Sequence, residues 1–422
     1  MSKISQYFST FVLIRGFFIA LLSSAFIYLH AFALVSPALN TLTALLALAL
    51  LLKSNHKVWF TSGAFIALFW FWWIGLSFIH YKMPWVIPFV ILMLMGLYGV
   101  LFLGIAWLSE TLAKQIPTHT ILIQYGFKAL GLLLLSTIHP FSFDWYKPEL
   151  MFVQSYIPID KFSFFIVLLS VVFTLGRNSF FYLLPLIFLF TPVQKTAHTL
   201  PNTMQLVSTH TNVEEKWNPQ FHAQQFSTIF QAIDLAIKEK KTLIVFPESV
   251  FPLFLNRSHH LLEKLQAKSK EIAIVVGGLY LEGNIPHNST YIFENTHMQI
   301  ASKVILVPFG EANPLPDFLS QWVNRTFYDN AVDYQASKEI VDYTIDGTTY
   351  RNAICFEATS ERLYEKGKNG KRPENMIVLS NNGWFTPSIE PTLQKLLLLY
   401  YHKKYGTTIY HAVNMSKSYT IP

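Results

Sequence analysis

Apolar residues are spaced in two different ways along this chain. Up to about residue 195 they form long unbroken runs separated by short polar stretches; after residue 204 they form short runs set between segments of helical period. A helix crosses the hydrocarbon of a bilayer with about 20 predominantly apolar residues. Suitable stretches lie near residues 9–29, 32–52, 58–79, 86–108, 119–139, 161–177 and 178–195. Seven crossings are expected, with six as the alternative because the second stretch and the last two are short or closely joined. The first stretch has the look of a signal peptide, but it lacks a small-residue cleavage site and more spans come after it, so it is read as a retained helix.

Past residue 204, short Val/Ile/Leu runs bounded by polar turns predict strands covered on both faces. They fall at 204–208, 242–246, 272–278, 289–293, 303–307, 350–355, 376–380 and 408–413. Helical periodicity lies between them at 223–238, 258–269, 361–366 and 389–404. The expected organisation is an α-helical membrane domain over 1–195 and an α/β domain over 196–422 with helices outside its sheets. No internal repeat or low-complexity stretch stands out.

Composition agrees with this division. The 422 residues are 52% hydrophobic and only 14% charged, against about 25% charged in soluble domains. Disorder is excluded, and a single cysteine excludes a disulfide scaffold. The net charge of +7 comes with no basic stripe interleaved with aromatics, so no nucleic-acid partner is expected. With the N-terminus inside, one side of the membrane carries Lys3, Arg15, Lys53, Lys57, Lys114 and Arg177. The other carries Lys82, Lys147 and Lys161, diluted by Asp144, Glu149 and Asp160. The positive-inside bias then delivers the α/β domain to the outside, which in a bacterium is the periplasmic face of the inner membrane.

Two features of the membrane half invite a functional reading. The run Phe69-Trp70-Phe71-Trp72-Trp73 is expected to be interfacial or lipid-facing packing, with a wall guiding an acyl chain as the alternative. Lys128, inside a span, is expected to snorkel or to face a neighbouring helix, with a buried ionisable site as the alternative.

Three strand ends in the α/β half carry pointed chemistry. Val245-Phe246-Pro247-Glu248-Ser249 delivers a carboxylate from an apolar strand, where desolvation would raise its pKa toward that of a general base; the ordinary alternative is a capping or salt-bridged glutamate. Lys303 precedes Val-Ile-Leu-Val-Pro-Phe-Gly-Glu311, so a Pro/Gly bend can return Glu311 to its ammonium. Alone, such a lysine is a solvated strand end. Asn352-Ala-Ile-Cys355-Phe356-Glu357 places the only cysteine at a strand-to-helix elbow, where the helix end favours a thiolate. Its ordinary reading is a small buried hydrophobe.

A nucleophilic thiol requires a base and an oxyanion-stabilising cation or amide. Glu, Lys and Cys in this chain order, each at a strand end, resemble the nitrilase superfamily over about residues 204–414. The membrane-anchored apolipoprotein N-acyltransferase branch is similar to the whole chain. Lys216-Trp217-Asn-Pro resembles its K-W motif, and Phe246-Pro247-Glu248-Ser249 its base motif. Lys303 with Leu306-Val-Pro-Phe-Gly-Glu311 resembles K-x-x-L-V-P-F-G-E, Ile354-Cys355-Phe356-Glu357 resembles I-C-Y-E, and Asn381-Asn382-Gly383-Trp384-Phe385 resembles N-D-A-W-F. Phe356, Asn382 and Thr386 depart from the usual tyrosine, aspartate and glycine, and the pattern implies a further strand region and transmembrane helix beyond Pro422.

The resemblance implies a four-layer αββα sandwich with Glu248, Lys303 and Cys355 as catalytic triad. Glu311 would orient Lys303, and Glu357 and Phe356 would support the elbow. It further implies acyl transfer from a membrane glycerophospholipid, through a Cys355 thioester, to a diacylated apolipoprotein, by a protein surrounded by membrane lipids and acting as a monomer. Apolar segments at 251–255 and 315–327 come directly after the base and Glu311, and Phe251, Trp322, Trp217 and Trp384 are candidate lipid contacts beside ordinary packing. No paired metal-ligand spacing and no nucleotide-binding glycine motif occurs, so neither metal nor cofactor is expected. Two alternatives stay open: a membrane-tethered carbon–nitrogen hydrolase or amidase using water, and a catalytically decayed membrane assembly protein.

Overall fold

Three helices in the first half, Pro37–Lys53, His56–Phe71 and Lys161–Arg177, start where a polar side chain caps an apolar run. Ser36 accepts from Leu39 N–H at 3.3 Å ahead of Pro37, Asn55 from Val58 at 3.1 Å, and Asp160 from Ser163 at 2.9 Å. The computed structural model describes residues 7–116, 118, 120–138, 143–192, 200–313, 333–367 and 370–422. The chain forms two compact units, one of Met1–His139, Trp145–Lys195 and Pro387–Tyr400, the other of Pro140–Asp144, Thr196–Thr386 and Tyr401–Pro422.

In the first unit, three helical segments among the described residues have the length and composition to cross a bilayer: Thr10–Ala31, His56–His80 and Pro84–Ala113. Pro37–Lys53 and Thr120–Leu135 are shorter and apolar, and Lys161–Arg177 comes after them. The stretch expected near 178–195 differs. Asn178 leaves the preceding helix in the left-handed conformation (φ 50), and from there to residue 192 the chain forms only a 3-10 segment, Phe180–Leu183, and one helical turn, Pro185–Phe188. Hydropathy alone does not register that break. The helices cross closely: a Cβ on Gly63 would lie 2.5 Å from the Tyr98 carbonyl oxygen, so only glycine permits that approach.

The aromatic run turns inward. Trp70 and Trp73 are buried, with Trp70 Nε1 donating to Ser24 Oγ at 3.0 Å and Trp73 Nε1 to the Trp70 carbonyl at 2.7 Å. The rings of Trp70 and Trp73 pack on Tyr146 and Trp145. The outward face is carried instead by residues such as Phe11, Phe89, Leu92 and Phe188. Lys128 is fully buried rather than snorkelling; its Nζ donates to the Ser54 carbonyl at 2.7 Å and to Glu110 at 3.1 Å, while Glu110 also takes the His56 N–H at 2.9 Å. A buried cation at this depth has to be paired in this way.

The second unit contains two sheets. One has six strands in the order β1-β2-β4-β5-β6 with β3 on β4: β1 Met204–Leu206, β2 Leu243–Val245, β3 Phe251–Phe254, β4 Ala273–Glu282, β5 Ile285–Glu294 and β6 His297–Ser302. The other runs β11-β10-β9-β8-β7: β7 Asp342–Ile345, β8 Thr348–Ile354, β9 Asn375–Asn381, β10 Thr408–Asn414 and β11 Tyr419–Ile421. Alternation along the strands builds two cores at once. Leu243, Val245, Ala273 and Val275 pack against Tyr350, Ile377, Leu379 and Ala412 of the other sheet. Their neighbours Ile244, Ile274 and Val276 pack against Ile229, Ile233 and Leu265 of the helices Pro219–Lys238 and His259–Lys268. Strands covered on both faces read as continuous apolar runs, as the sequence does.

One expected strand is misplaced. Residues 303–307 lie beyond β6, which ends at Ser302, so Lys303 closes a strand rather than opening one. The N–H groups of Val304 and Ile305 go to the Glu357 carboxylate at 2.8 and 3.2 Å, taking them out of any ladder.

Candidate active site

The site forms where β2, β5, β6 and β8 end or pass. Beyond β2 the chain turns at Glu248, with Ser249 in the left-handed region (φ 49). That turn lies on β4 at Gly277, where a Cβ would stand 2.4 Å from Ser249 N and 2.8 Å from Glu248 Cα. Only glycine leaves room there. Glu248 is 8% exposed, and its Oε1 accepts from Asn288 Nδ2 at 2.8 Å.

Asn288, on β5, also donates to Glu311 Oε1 at 2.8 Å. The other Glu311 oxygen pairs with Lys303 Nζ at 2.6 Å and accepts the Val307 N–H at 2.9 Å. Glu248, Asn288, Glu311 and Lys303 therefore form a continuous polar chain, and Lys303 is 1% exposed. A buried ammonium needs such a partner. Of the two carboxylates, Glu311 makes the direct ion pair with Lys303.

Cys355 stands between β8 and a 3-10 turn, Cys355–Thr359, in the left-handed region (φ 52). Strain of this kind is held by surrounding structure and recurs at reactive positions. The thiol is not in a disulfide and is half-buried. Its charge acts on both Lys303 and Lys216, so sulfur and both cations share one neighbourhood.

Burial and these neighbours set the electrostatics. Burial raises the Glu248 pKa; Lys303 opposes the rise, Glu311 adds to it, and Asn288 and Lys216 oppose it, leaving a net increase. Burial disfavours the Lys303 ammonium, but Glu311, Glu248 and Cys355 outweigh it and raise its pKa, so Lys303 is charged at any physiological pH.

Glu357, 1% exposed, holds the site together. It accepts from Val304 and Ile305 and, through its other oxygen, from the Ile354 N–H at 2.8 Å. One carboxylate thus joins the segment after Lys303 to the residue before Cys355. Burial pushes Glu357 up to about 7 against the pull of Lys303 and the three N–H groups. Glu357→Ala strands these three donors at about 1–3 kcal/mol each, so a fall of at least about 6 °C in the thermal midpoint is expected. A midpoint within about 2 °C of the parent, on the same scale, would contradict this role.

The remaining expected residues fall in different places. Phe356 is buried and stacks on Phe143 with ring centroids 6.2 Å apart. Phe251, expected as a lipid contact, is instead fully buried in the core against Phe226 and Phe230, because it is the first residue of β3 and its side chain faces the covering helix. Trp217 is half-buried, and its indole N–H is buried without a hydrogen-bond partner among the described residues. Trp384 is half-buried. The segments bearing Trp217 and Trp384 adjoin: a Cβ on Gly383 would lie 3.3 Å from Val213. Trp322 and residues 315–327 lie outside the described residues. Two members of the cluster have little signal in the sequence. Asn288 carries no local signal, and Lys216 enters only as part of a motif, although its Nζ donates to the Glu248 carbonyl at 3.0 Å.

Fold and cluster together define a class: a membrane protein that carries an α/β domain of two sheets with a buried Glu–Asn–Glu–Lys cluster beside a single cysteine. A family model described as the apolipoprotein N-acyltransferase integral membrane domain matches residues 10–194. A Wolinella succinogenes protein named apolipoprotein N-acyltransferase is 44% identical over 404 residues, covering 94% of this chain and 93% of that protein. Proteins of the same name from Helicobacter pylori and Campylobacter jejuni are 35% and 32% identical over 93% and 97% of this chain, and 91% and 90% of their own lengths. The chain belongs to the apolipoprotein N-acyltransferase family. Among solved structures, a CN-hydrolase superfamily protein from Xanthomonas campestris is similar over 52% of this chain and 81% of its own, at 13% identity and a TM-score of 0.38.

Proposed function

We propose that this protein transfers an acyl chain from a membrane glycerophospholipid to the N-terminal α-amino group of a diacylglyceryl-cysteine in apolipoproteins, through a thioester on Cys355. In the first half-reaction Glu248 takes the Cys355 proton, and the thiolate attacks the ester carbonyl carbon. Lys303 bears on the oxyanion. The ester C–O bond breaks, the leaving oxygen takes the proton from Glu248, and lysophospholipid departs. In the second, the α-amine attacks the thioester carbonyl and gives its proton to Glu248, the C–S bond breaks, and the thiol is restored. One site serving two substrates in turn implies ping-pong kinetics.

The observation that supports this reading best is the division of labour between the two carboxylates. Glu311 neutralises Lys303 while Glu248, raised by burial, remains available as the base. The apolar helical unit suits a lipid donor, and Trp217 and Trp384 are assigned to the substrate approach. Membership of the family supports the same assignment, with residues 1–195 crossing the bilayer, residues 196–422 on the periplasmic face of the inner membrane, and a monomer as the working form.

Incubating the purified protein with phospholipid and measuring intact mass tests the reading. An added acyl mass located on Cys355, discharged by a diacylated lipopeptide, is expected. Free fatty acid with no aminolysis would indicate the hydrolase alternative, and no adduct under turnover conditions would refute the thioester route.

A further inference from the structure

Lys216 is a buried cation beside the reacting groups that the steps above leave without a role. It sits in the short helix Val213–Trp217, capped by Asn212 accepting from Glu215 N–H at 2.8 Å. Its side chain runs inward, 2% exposed, and Nζ donates to the main-chain carbonyl of Glu248 at 3.0 Å. An ammonium has three donors; the Glu248 carbonyl is its one hydrogen-bond partner among the described residues, leaving donors to face a transient anion. The charged groups acting on it are Glu248, after β2, and Cys355, after β8.

The balance of charge depends on it. Glu248 and Cys355 share one proton in the steps above, so with Glu311 they carry two negative charges, and Lys303, already bound to Glu311, is a single cation against them. With Lys216 the charges balance.

We propose that Lys216 is a positioning residue for the transfer reaction: it anchors the main chain of the base Glu248 and supplies the second cation that holds Cys355 as a thiolate. The inference rests on the assignment of Cys355 as nucleophile. Burial lowers the Lys216 pKa to about 8 against the opposing charges of Glu248 and Cys355, so its ammonium is lost just above neutrality.

The chain contains one cysteine, so a thiol alkylating reagent reports on Cys355 alone. The test measures iodoacetamide alkylation against pH, with acyl-transfer kinetics, in the full-length parent, Lys216→Gln and Lys216→Met. Loss of a nearby opposite charge is expected to raise the apparent thiol pKa by about one unit in both variants, slowing alkylation at pH 7 roughly tenfold. The fall in activity should appear in kcat rather than donor KM, and be milder in Lys216→Gln, whose amide still donates to the Glu248 carbonyl. In the parent, kcat/KM should decline above about pH 8, and Lys216→Gln should lack that limb. A Lys216→Gln protein with the parent's melting midpoint and a superimposable alkylation profile overturns the proposal. So does a parent with no alkaline limb, which decides the matter even if both variants unfold. Normal alkylation shifts without an acyl adduct in the parent would instead count against the thioester reading.

Discussion

Cys355→Ala is expected to abolish acyl transfer and the acyl adduct together, with activity down by at least about 10⁴-fold, as for removal of a nucleophile that works as a unit with its base. The loss should be chemical rather than structural. The half-buried thiol lies at an elbow whose backbone is held by Glu357 through Ile354. Cys355→Ser, closer in shape, should keep the melting midpoint and lose activity nearly as completely, because a hydroxyl gives up its proton far less readily to the same base. Acyl transfer persisting in Cys355→Ala would remove the thioester from the mechanism, whatever happened to stability.

Lys303→Met is the second large effect, and here chemistry and stability fall together. The ammonium is 1% exposed and bonded to Glu311 at 2.6 Å, so its removal leaves a largely buried carboxylate uncompensated beside Glu248. Breaking one side of such a pair costs about 3–5 kcal/mol. Loss of a preorganised oxyanion partner costs about 10²–10³-fold in kcat. The double variant Lys303→Met with Glu311→Gln separates the two, since removing the orphaned charge should recover much of the melting midpoint and none of the activity. A double variant with near-parental kcat would show that Lys303 is structural only.

Much of this architecture was legible because its causes are local. Long apolar runs mark the helices Thr10–Ala31 and Ile87–Ala113, and strands covered on both faces, such as β2 and β4, are apolar throughout. What escaped depended on partners distant in the chain or on single dihedrals. Residues 303–307 have a strand's composition, but the N–H groups of Val304 and Ile305 are claimed by the Glu357 carboxylate, 53 and 52 positions away. Strands β7 and β11 are partly exposed and lack the continuous buried Val/Ile/Leu run that marks the similarly short β2. Residues 178–195 are apolar enough for a helix, yet Asn178 breaks it with one left-handed residue.

The site divides in the same way. Glu248, Lys303 and Cys355 stand out because reactive side chains at the ends of apolar strands are uncommon. Asn288 does not, because its two bonds reach 40 residues back and 23 forward. The sequence neighbours of Phe251 suggest a lipid contact, but its position on β3 turns it into the core.

The Glu357 clasp has a mechanical consequence. In the proposed two-step transfer a lipid tail and then a peptide terminus would have to enter, and a cation and nucleophile carried on separate loops would be free to drift apart. Here one carboxylate grips the backbone on both sides. A displacement of the segment after Lys303 is therefore expected to draw the residue before Cys355 with it, rather than to open a gap between them.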